Sequence, residues 1–193
     1  SPGGVHSSQH HIVALCEILA KNGIKVWVHA FLDGRDTPPA SAEGFLADFE
    51  KSIAALKDVK IATIEGRFYA MDRDKRWDRV EAAYNNMLIA EGKRYATAKE
   101  AIEASYAAKV TDEFVIPCVI GDYQGMEDGD AILMANFRAD RAREILYALA
   151  DAEFTGFVRK KQVKFSKHVG MTEYSVDHNR FMNTMFPPEA LTH

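Results

Sequence analysis

The chain is poor in every feature that would take it out of the class of ordinary globular domains. It has two cysteines in 193 residues, Cys16 and Cys118. They lie far apart in apolar surroundings, which excludes a disulfide framework and suggests two buried, reduced thiols in a cytoplasmic protein. No apolar run approaches the ~20 residues of a membrane span, and no secretory leader pattern opens the chain. Basic residues are not in excess: 24 Lys and Arg against 28 Asp and Glu leave a net charge of −4. That balance excludes the broad basic surface that nucleic acid requires. The nucleotide-binding patterns G-x-x-x-x-G-K-S/T and G-x-G-x-x-G are missing, and so is the G-x-S-x-G nucleophile elbow. Repeats, low-complexity tracts and internal linkers are missing too. What remains is an unremarked composition, 47% hydrophobic and 27% charged, long enough for one substantial core.

Along that core-forming length, strand and helix patterns alternate. His6 to Asn22 has helical periodicity, with Ile12, Leu15, Cys16 and Leu19 on one face. Ile24 to Leu32 is a continuous apolar run of the kind found in strands covered on both faces. Thr37-Pro38 reads as a helix start, leading to a stripe of Phe45, Phe49, Ile53 and Leu56. Val59 to Ile64 is a second strand. Helices are expected over Arg76 to Gly92 and Thr97 to Lys109, the latter opened by a Thr97/Glu100 capping box. Phe114 to Ile120 contains Pro117, which predicts an edge strand or a bulge. Ala131 to Phe137 is a third strong strand, followed by a helix over Ala139 to Ala152, and Val163 to Val169 reads as a last strand. The expected fold is a single α/β domain over residues 1–193, a mainly parallel sheet flanked by helices with at least one irregular or edge strand. The loop-like SPGG and PPEALTH ends suggest a segment of a longer polypeptide.

Arginine marks the ends of the three strong strands. The segments read VWVHAFLDGRDTPP, IATIEGRFYAMDRDKR and AILMANFRADRAR, and place Arg35, Arg67, Arg73, Arg138 and Arg141 just past each run. Ligands of doubly wound α/β proteins bind outside the carboxyl ends of the strands, and the guanidinium fork fits carboxylate and phosphate oxygens. A chain of net negative charge that gathers arginine there is expected to bind a small, multiply anionic ligand. Arg138 and Arg141 are expected to share one face in the first turn of a helix. Arg76 and Arg79 lie in a mixed-charge run that reads as a solvated helix face. Asp33 and Asp36 bracket Arg35 and could orient its fork or accept a hydroxyl proton. His6 follows two glycines at a helix start and could face a ligand as donor or acid–base, while Ser7 and Ser8 read as caps. His29 reads as a core histidine; His168 and His178 have no interpretable context. His6 and His10 are four apart but lack a third ligand, so no metal site is expected. A hydrolase using His6, His10 and His11 with zinc or manganese is the least supported reading.

Taken together, GGVHS, HAFLDGRDTPP, EGRFYAMDRDKRWDR and NFRADRAR closely resemble the cofactor-independent (2,3-bisphosphoglycerate-independent) phosphoglycerate mutases, in order from Gly3 to about Arg143. FSKHVGMTEYS and FPPEAL look like the same family. The resemblance implies the substrate-binding, or phosphotransferase, domain, inserted in an alkaline-phosphatase-like domain. It implies that His6, Arg35, Asp36, Arg67, Arg73, Arg138 and Arg141 hold 2- and 3-phosphoglycerate, with Asp36 and His6 handling protons. It also implies that the nucleophilic serine and two divalent metals, manganese by expectation, belong to the missing domain. No cofactor is then expected in this chain, and the whole protein is expected to be a cytoplasmic monomer with no membrane or nucleic-acid partner. Ser8 departs from the family's usual second histidine in GGVHSH. The alternative reading is a stand-alone binding module for phosphorylated carboxylates.

Overall fold

The computed structural model describes residues 2–188; Ser1 and residues 189–193, part of the linker-like ends, lie outside the described residues. The α/β alternation is present, divided between two sheets. The first contains β1 (Val26–Leu32), β2 (Val59–Gly66), β3 (Lys93–Tyr95) and β4 (Cys118–Ile120), in the spatial order β1-β2-β4-β3. The second contains β5 (Ala131–Met134), β6 (Lys167–Gly170) and β7 (Asn183–Thr184), in that order. Every pairing is parallel except β2 with β4. The helices are α1 (Gln9–Lys21), α2 (Ala42–Ile53), α3 (Arg67–Ala70), α4 (Trp77–Ile89), α5 (Ala98–Ala107) and α6 (Arg143–Ala150).

Two main apolar clusters follow from this layering. One packs α2 and α5 on β1, β2 and β4 through Leu46, Phe49, Ile53, Ile61, Ile64 and Ile102. The other packs α4 against α6 through Val80, Tyr84, Leu88, Ile145 and Leu146. Cys16 and Cys118 are buried free thiols, with pKa values pushed up to about 11 and about 12 by loss of solvation.

Four sequence expectations move. The helix expected at Thr37-Pro38 begins at Ala42. Its first amides find a distant partner: Asp112, fully buried, accepts the Ser41 and Ala42 N–H groups at 2.9 Å and the Tyr106 hydroxyl. Thr37 instead accepts from the Gly34 amide at 3.2 Å and closes the preceding turn. Ser8 sits at the N-cap of α1, which starts at Gln9, and makes no side-chain cap bond. The Pro117 strand is neither edge nor bulged. It begins after the proline, at Cys118, so no ladder donor is lost, and it lies between β2 and β3. The last long strand is shorter and later than Val163 to Val169, at Lys167–Gly170. Half of the capping box at α5 is present: the Thr97 hydroxyl accepts from the Glu100 amide at 3.2 Å, while the Glu100 carboxylate reaches one residue further back, to Ala96 N–H at 3.1 Å, rather than to Thr97 N–H.

Two stability predictions follow from a buried carboxylate and a half-buried histidine. Asp112→Ala strips the acceptor from two buried amides and a hydroxyl, and is expected to cost about 2–4 kcal/mol in urea unfolding; a loss under 1 kcal/mol would show that water replaces it. His29 bonds Thr63 Oγ1 at 2.8 Å, and desolvation lowers its pKa to about 4. An unfolded imidazole titrates near ~6.5. Between those values the unfolded chain binds more protons than the folded one, so stability must fall as pH drops through that window. Urea midpoints taken from pH 7 to pH 4.5 should decline, and decline less steeply in His29→Gln; equal slopes would remove His29 from the account.

Candidate functional site

The site is built around one buried arginine. Arg67 opens α3 directly at the end of β2 and is 5% exposed. Its Nη1 donates to Asp33 Oδ1 and to Asp36 Oδ2, both at 2.7 Å. Its Nη2 lies 3.2 Å from His6 Nε2. Asp33 also accepts the backbone N–H groups of Arg35 (3.2 Å) and Asp36 (3.0 Å), so the LDGRD turn is folded over its own first carboxylate. Burial raises the Asp33 pKa. The bonds from the Asp36 amide, Arg67 and the Arg35 amide outweigh it, and the net shift is down.

Two glycines make this approach possible. Gly34 has φ +69, and a side chain there would meet the Glu113 nitrogen at 2.8 Å. A Cβ on Gly66 would sit 2.2 Å from the Glu113 carbonyl oxygen. The 112–113 backbone therefore lies across both strand ends, where Glu113 also reaches Arg35 at 3.4 Å.

His6 bridges the two sheets. Its carbonyl accepts from the amides of Phe137 (2.9 Å) and Arg138 (3.3 Å), just past β5. Its Nε2 lies 3.3 Å from Asp36 Oδ2, beyond β1. Loss of solvation, then the Arg67 charge, lowers its pKa against the opposing pull of Asp36. The ring is therefore neutral at pH 7. Nε2 thus faces an obligate donor, the Arg67 guanidinium, and an obligate acceptor, the Asp36 carboxylate, and its tautomer is set by which of the two it answers. Nδ1 is buried and has no hydrogen-bond partner.

The other arginines stand around this hub. Arg73 Nη1 donates to Asp140 Oδ2 at 2.7 Å, and Arg138 Nε lies 3.1 Å from Asp140 Oδ1. Both are about half-exposed, and Arg35 is 62% exposed. Arg138 and Arg141 do not share the first turn of an α-helix: Arg138 is extended, residues 139–141 form a 3-10 turn, and α6 starts at Arg143. Arg141 is also less open than expected for a helix start, and donates to the Met71 carbonyl at 3.0 Å. Its pKa is lowered by desolvation and by the charges of Arg67 and Arg73, only partly offset by Asp140.

Sequence reasoning placed Arg76 and Arg79 outside the site, and they serve Asp72. That buried carboxylate accepts the amides of Asp74 (2.9 Å) and Arg76 (3.0 Å) and the Arg76 guanidinium (3.2 Å), with Arg79 at 3.8 Å. Sequence reasoning gave no role to Asp112 or to the tail residues Tyr174 and His178. Tyr174 donates to the carbonyls of Asn136 (2.6 Å) and Met134 (3.1 Å), and its own carbonyl accepts from Arg143. His178 is fully buried, 3.0 Å from the Arg143 carbonyl. The tail thus holds the NFRADR segment, and only a tertiary contact could reveal it. Among the described residues no group of three or more His, Cys, Asp and Glu could hold a metal ion.

Fold and site together define an α/β domain with arginines clustered at its strand ends. Residues 1–176 match the family described as BPG-independent PGAM N-terminus (iPGM_N), and the chain belongs to that family. It is 53% identical over 191 residues to the 2,3-bisphosphoglycerate-independent phosphoglycerate mutase of Rhodopseudomonas palustris, covering 99% of this chain and 38% of that protein. It is 48% identical to the mutase of the same name from Gluconobacter oxydans, covering 99% and 37%. The crystal structure of Leishmania mexicana phosphoglycerate mutase superposes with a TM-score of 0.90 at 35% identity, over 100% of this chain and 37% of that one. The chain therefore spans a little over a third of the relatives it matches.

The hub predicts its own fragility. Asp33→Ala leaves Arg67 short of a buried partner and two turn amides without an acceptor, and is expected to cost about 3 kcal/mol or more in chemical unfolding. A change under 1 kcal/mol would mean that the Arg67 charge is solvated rather than clamped.

Proposed function

We propose that this chain is the substrate-binding domain of a 2,3-bisphosphoglycerate-independent phosphoglycerate mutase, which interconverts 3- and 2-phosphoglycerate. The observation that carries the reading is the arrangement around Arg67: it meets His6, whose Nδ1 is buried without a hydrogen-bond partner, while Arg138 and Arg141 from the β5 end stand on Asp140 and the Met71 carbonyl. Such a cleft suits a small ligand with several anionic oxygens and hydroxyls. The names of the relatives supply the substrate.

In this reading Arg35, Arg73, Arg138 and Arg141 grip the carboxylate and phosphoryl oxygens. Arg67 has its charge met by two carboxylates and fixes Asp36 and His6 in place as it touches the ligand. Asp36, 31% exposed, takes a proton from a glycerate hydroxyl, and His6 donates to the transferring group. The whole protein carries this domain, residues 1–193, within an alkaline-phosphatase-like domain that supplies a nucleophilic serine. Two divalent metals, manganese by expectation, belong there and supply activation of that serine. It works as a cytoplasmic monomer. Holding glycerate while the phosphoryl group changes oxygens is a positioning task, worth up to ~7–11 kcal/mol of barrier.

Two measurements test this. The 193-residue chain should show no mutase activity, since it would lack the nucleophile and the metals; turnover by the pure chain would refute the division of labour. In the full-length protein, Arg138→Ala with Arg141→Ala should lower kcat/KM at least ~100-fold, the loss of roughly 3 kcal/mol of anion contacts, with an unchanged circular dichroism spectrum. Activity within threefold of wild type would place the ligand elsewhere.

A further inference from the structure

The loops that carry Arg73 and Arg141 are stitched together at three points. Arg141 donates to the Met71 carbonyl at 3.0 Å, Arg73 to Asp140 at 2.7 Å, and the Lys75 amide to Glu144 Oε1 at 2.9 Å. The first two contacts are made by arginines that the proposed function gives to the ligand. The third is made by a buried glutamate in the first turn of α6, to which that function gives no part.

Glu144 shares its turn with a second buried carboxylate. Asp72 Oδ2 accepts the amides of Asp74 (2.9 Å) and Arg76 (3.0 Å), while the amide between them goes to Glu144. Lys75 takes the left-handed φ of 58. Three successive N–H groups thus serve one pair of carboxyls, as in a backbone anion nest. Within it the two carboxyl groups are hydrogen-bonded to one another. A carboxylate oxygen can only accept, so a bond between two carboxyls requires one proton.

The surrounding charges assign that proton. Asp72 is met by two amides, by Arg76 at 3.2 Å and by Arg79 of α4 at 3.8 Å. Glu144 is met by one amide on Oε1; its Oε2 is buried, and among the described residues no group donates to it. Arg141 and Arg143, the cations nearest in sequence, are engaged at the Met71 and Tyr174 carbonyls. Burial pushes the Glu144 pKa up; the Lys75 amide opposes it, and the charges of Asp72 and Asp74 add to it. Burial also raises Asp72, but its bonds from the Arg76 and Asp74 amides, the Arg76 guanidinium and Glu144 outweigh that, and the net shift is down. The start of α6 favours an anion, but ionising both carboxyls would put two like charges in one buried site. With the proton on Glu144 Oε2, that oxygen donates to Asp72 while Oε1 accepts from Lys75.

We propose that Asp72 and Glu144 share one proton and form a latch that positions Arg73 and Arg141 by joining the loop after β2 to the start of α6. With all four oxygens engaged, neither carboxyl is left to meet a ligand, so both are positioning residues. Removing the shared proton leaves two adjacent buried anions, and the turn that carries Arg73 parts from the segment that carries Arg141. The folded chain binds this proton more tightly than an unfolded glutamate does. The latch is therefore complete at acid pH and opens as pH rises through the folded pKa of Glu144. The inference rests on the phosphoglycerate reading for what the arginines grip.

Glu144→Gln separates the proton from the contact. Its amide nitrogen donates to Asp72 and its oxygen accepts from Lys75 at every pH, whereas Glu144→Ala makes neither bond. The full-length protein is used throughout. At pH 5.5 an ordinary glutamate, with a pKa of ~4.3, is ionised. Infrared difference spectra at that pH should show the carbonyl band of a protonated carboxyl in wild type and not in Glu144→Gln. The KM for 3-phosphoglycerate should be at least ~10-fold higher in Glu144→Ala than in wild type at pH 5.5, and Glu144→Gln should restore it. The ratio of the wild-type KM to that of Glu144→Gln should then rise at least ~3-fold by pH 9. No such band, or a ratio constant over that range, would overturn the proposal; neither arm needs Glu144→Ala to fold. So would a wild-type KM in Glu144→Ala while Arg138→Ala with Arg141→Ala is impaired. If the arginine variant is unimpaired as well, the phosphoglycerate reading has failed and the latch has nothing to position.

Discussion

A guanidinium taken out of water must be met by acceptors, and in this domain meeting that demand decides where the site is. Arg67 is 5% exposed and answers to Asp33, Asp36 and His6. Those partners come from the turn after β1 and from the loop before α1; Arg67 itself comes from the end of β2. A single buried charge therefore draws three separate segments to one point. Removing one partner of such a cluster costs far more than an exposed pair contributes, so the geometry is held with a stiffness that surface charges could not give. Gly34 and Gly66 serve the same end by letting the 112–113 backbone lie against the strand ends.

The arginines divide by burial into those that hold the protein and those that face outward. Arg76 and Arg79 serve Asp72, and Arg67 serves two aspartates. Arg35, Arg73 and Arg138 are about half-exposed or more, each with one carboxylate at a rim position. Arg141 is the intermediate case, bonded to a carbonyl and surrounded by like charge. Arg73 and Arg138 share Asp140, a half-buried carboxylate, so a ligand carboxylate or phosphate that reached them would compete with that one partner and leave the Arg67 pairs intact. On the proposed reading this is what allows the cleft to load and release an anion without disturbing its floor.

How much of this the sequence shows depends on the range of the interaction. The helices α4 and α5 and the strands β1 and β2 follow from periodicity and caps that act within a few residues. The arginine cluster was legible because three similar strand ends repeat one pattern. Where a distant group decides, local reading fails. The start of α2 is set by Asp112, seventy residues on, so Thr37-Pro38 is a better local signal for the wrong position. Tyr174 and His178 brace the NFRADR segment from a tail without periodicity. The division into two sheets was not legible either, because β1 and β5 each have the composition of a strand covered on both faces, which is also what a shared neighbour would require.

Packing and polar contacts divide the work of joining the two halves. At the carboxyl ends of the strands the His6 carbonyl meets the Phe137 and Arg138 amides, Arg73 meets Asp140, and Arg141 meets the Met71 carbonyl. Surface ion pairs and single hydrogen bonds contribute on the order of 1 kcal/mol each. The buried cluster in which Met71, Val80, Tyr84 and Leu88 pack on Ile145, Leu146 and Leu149 removes far more apolar surface from water, so the separation of the two halves is set by the α4–α6 packing rather than by the charges at the strand ends.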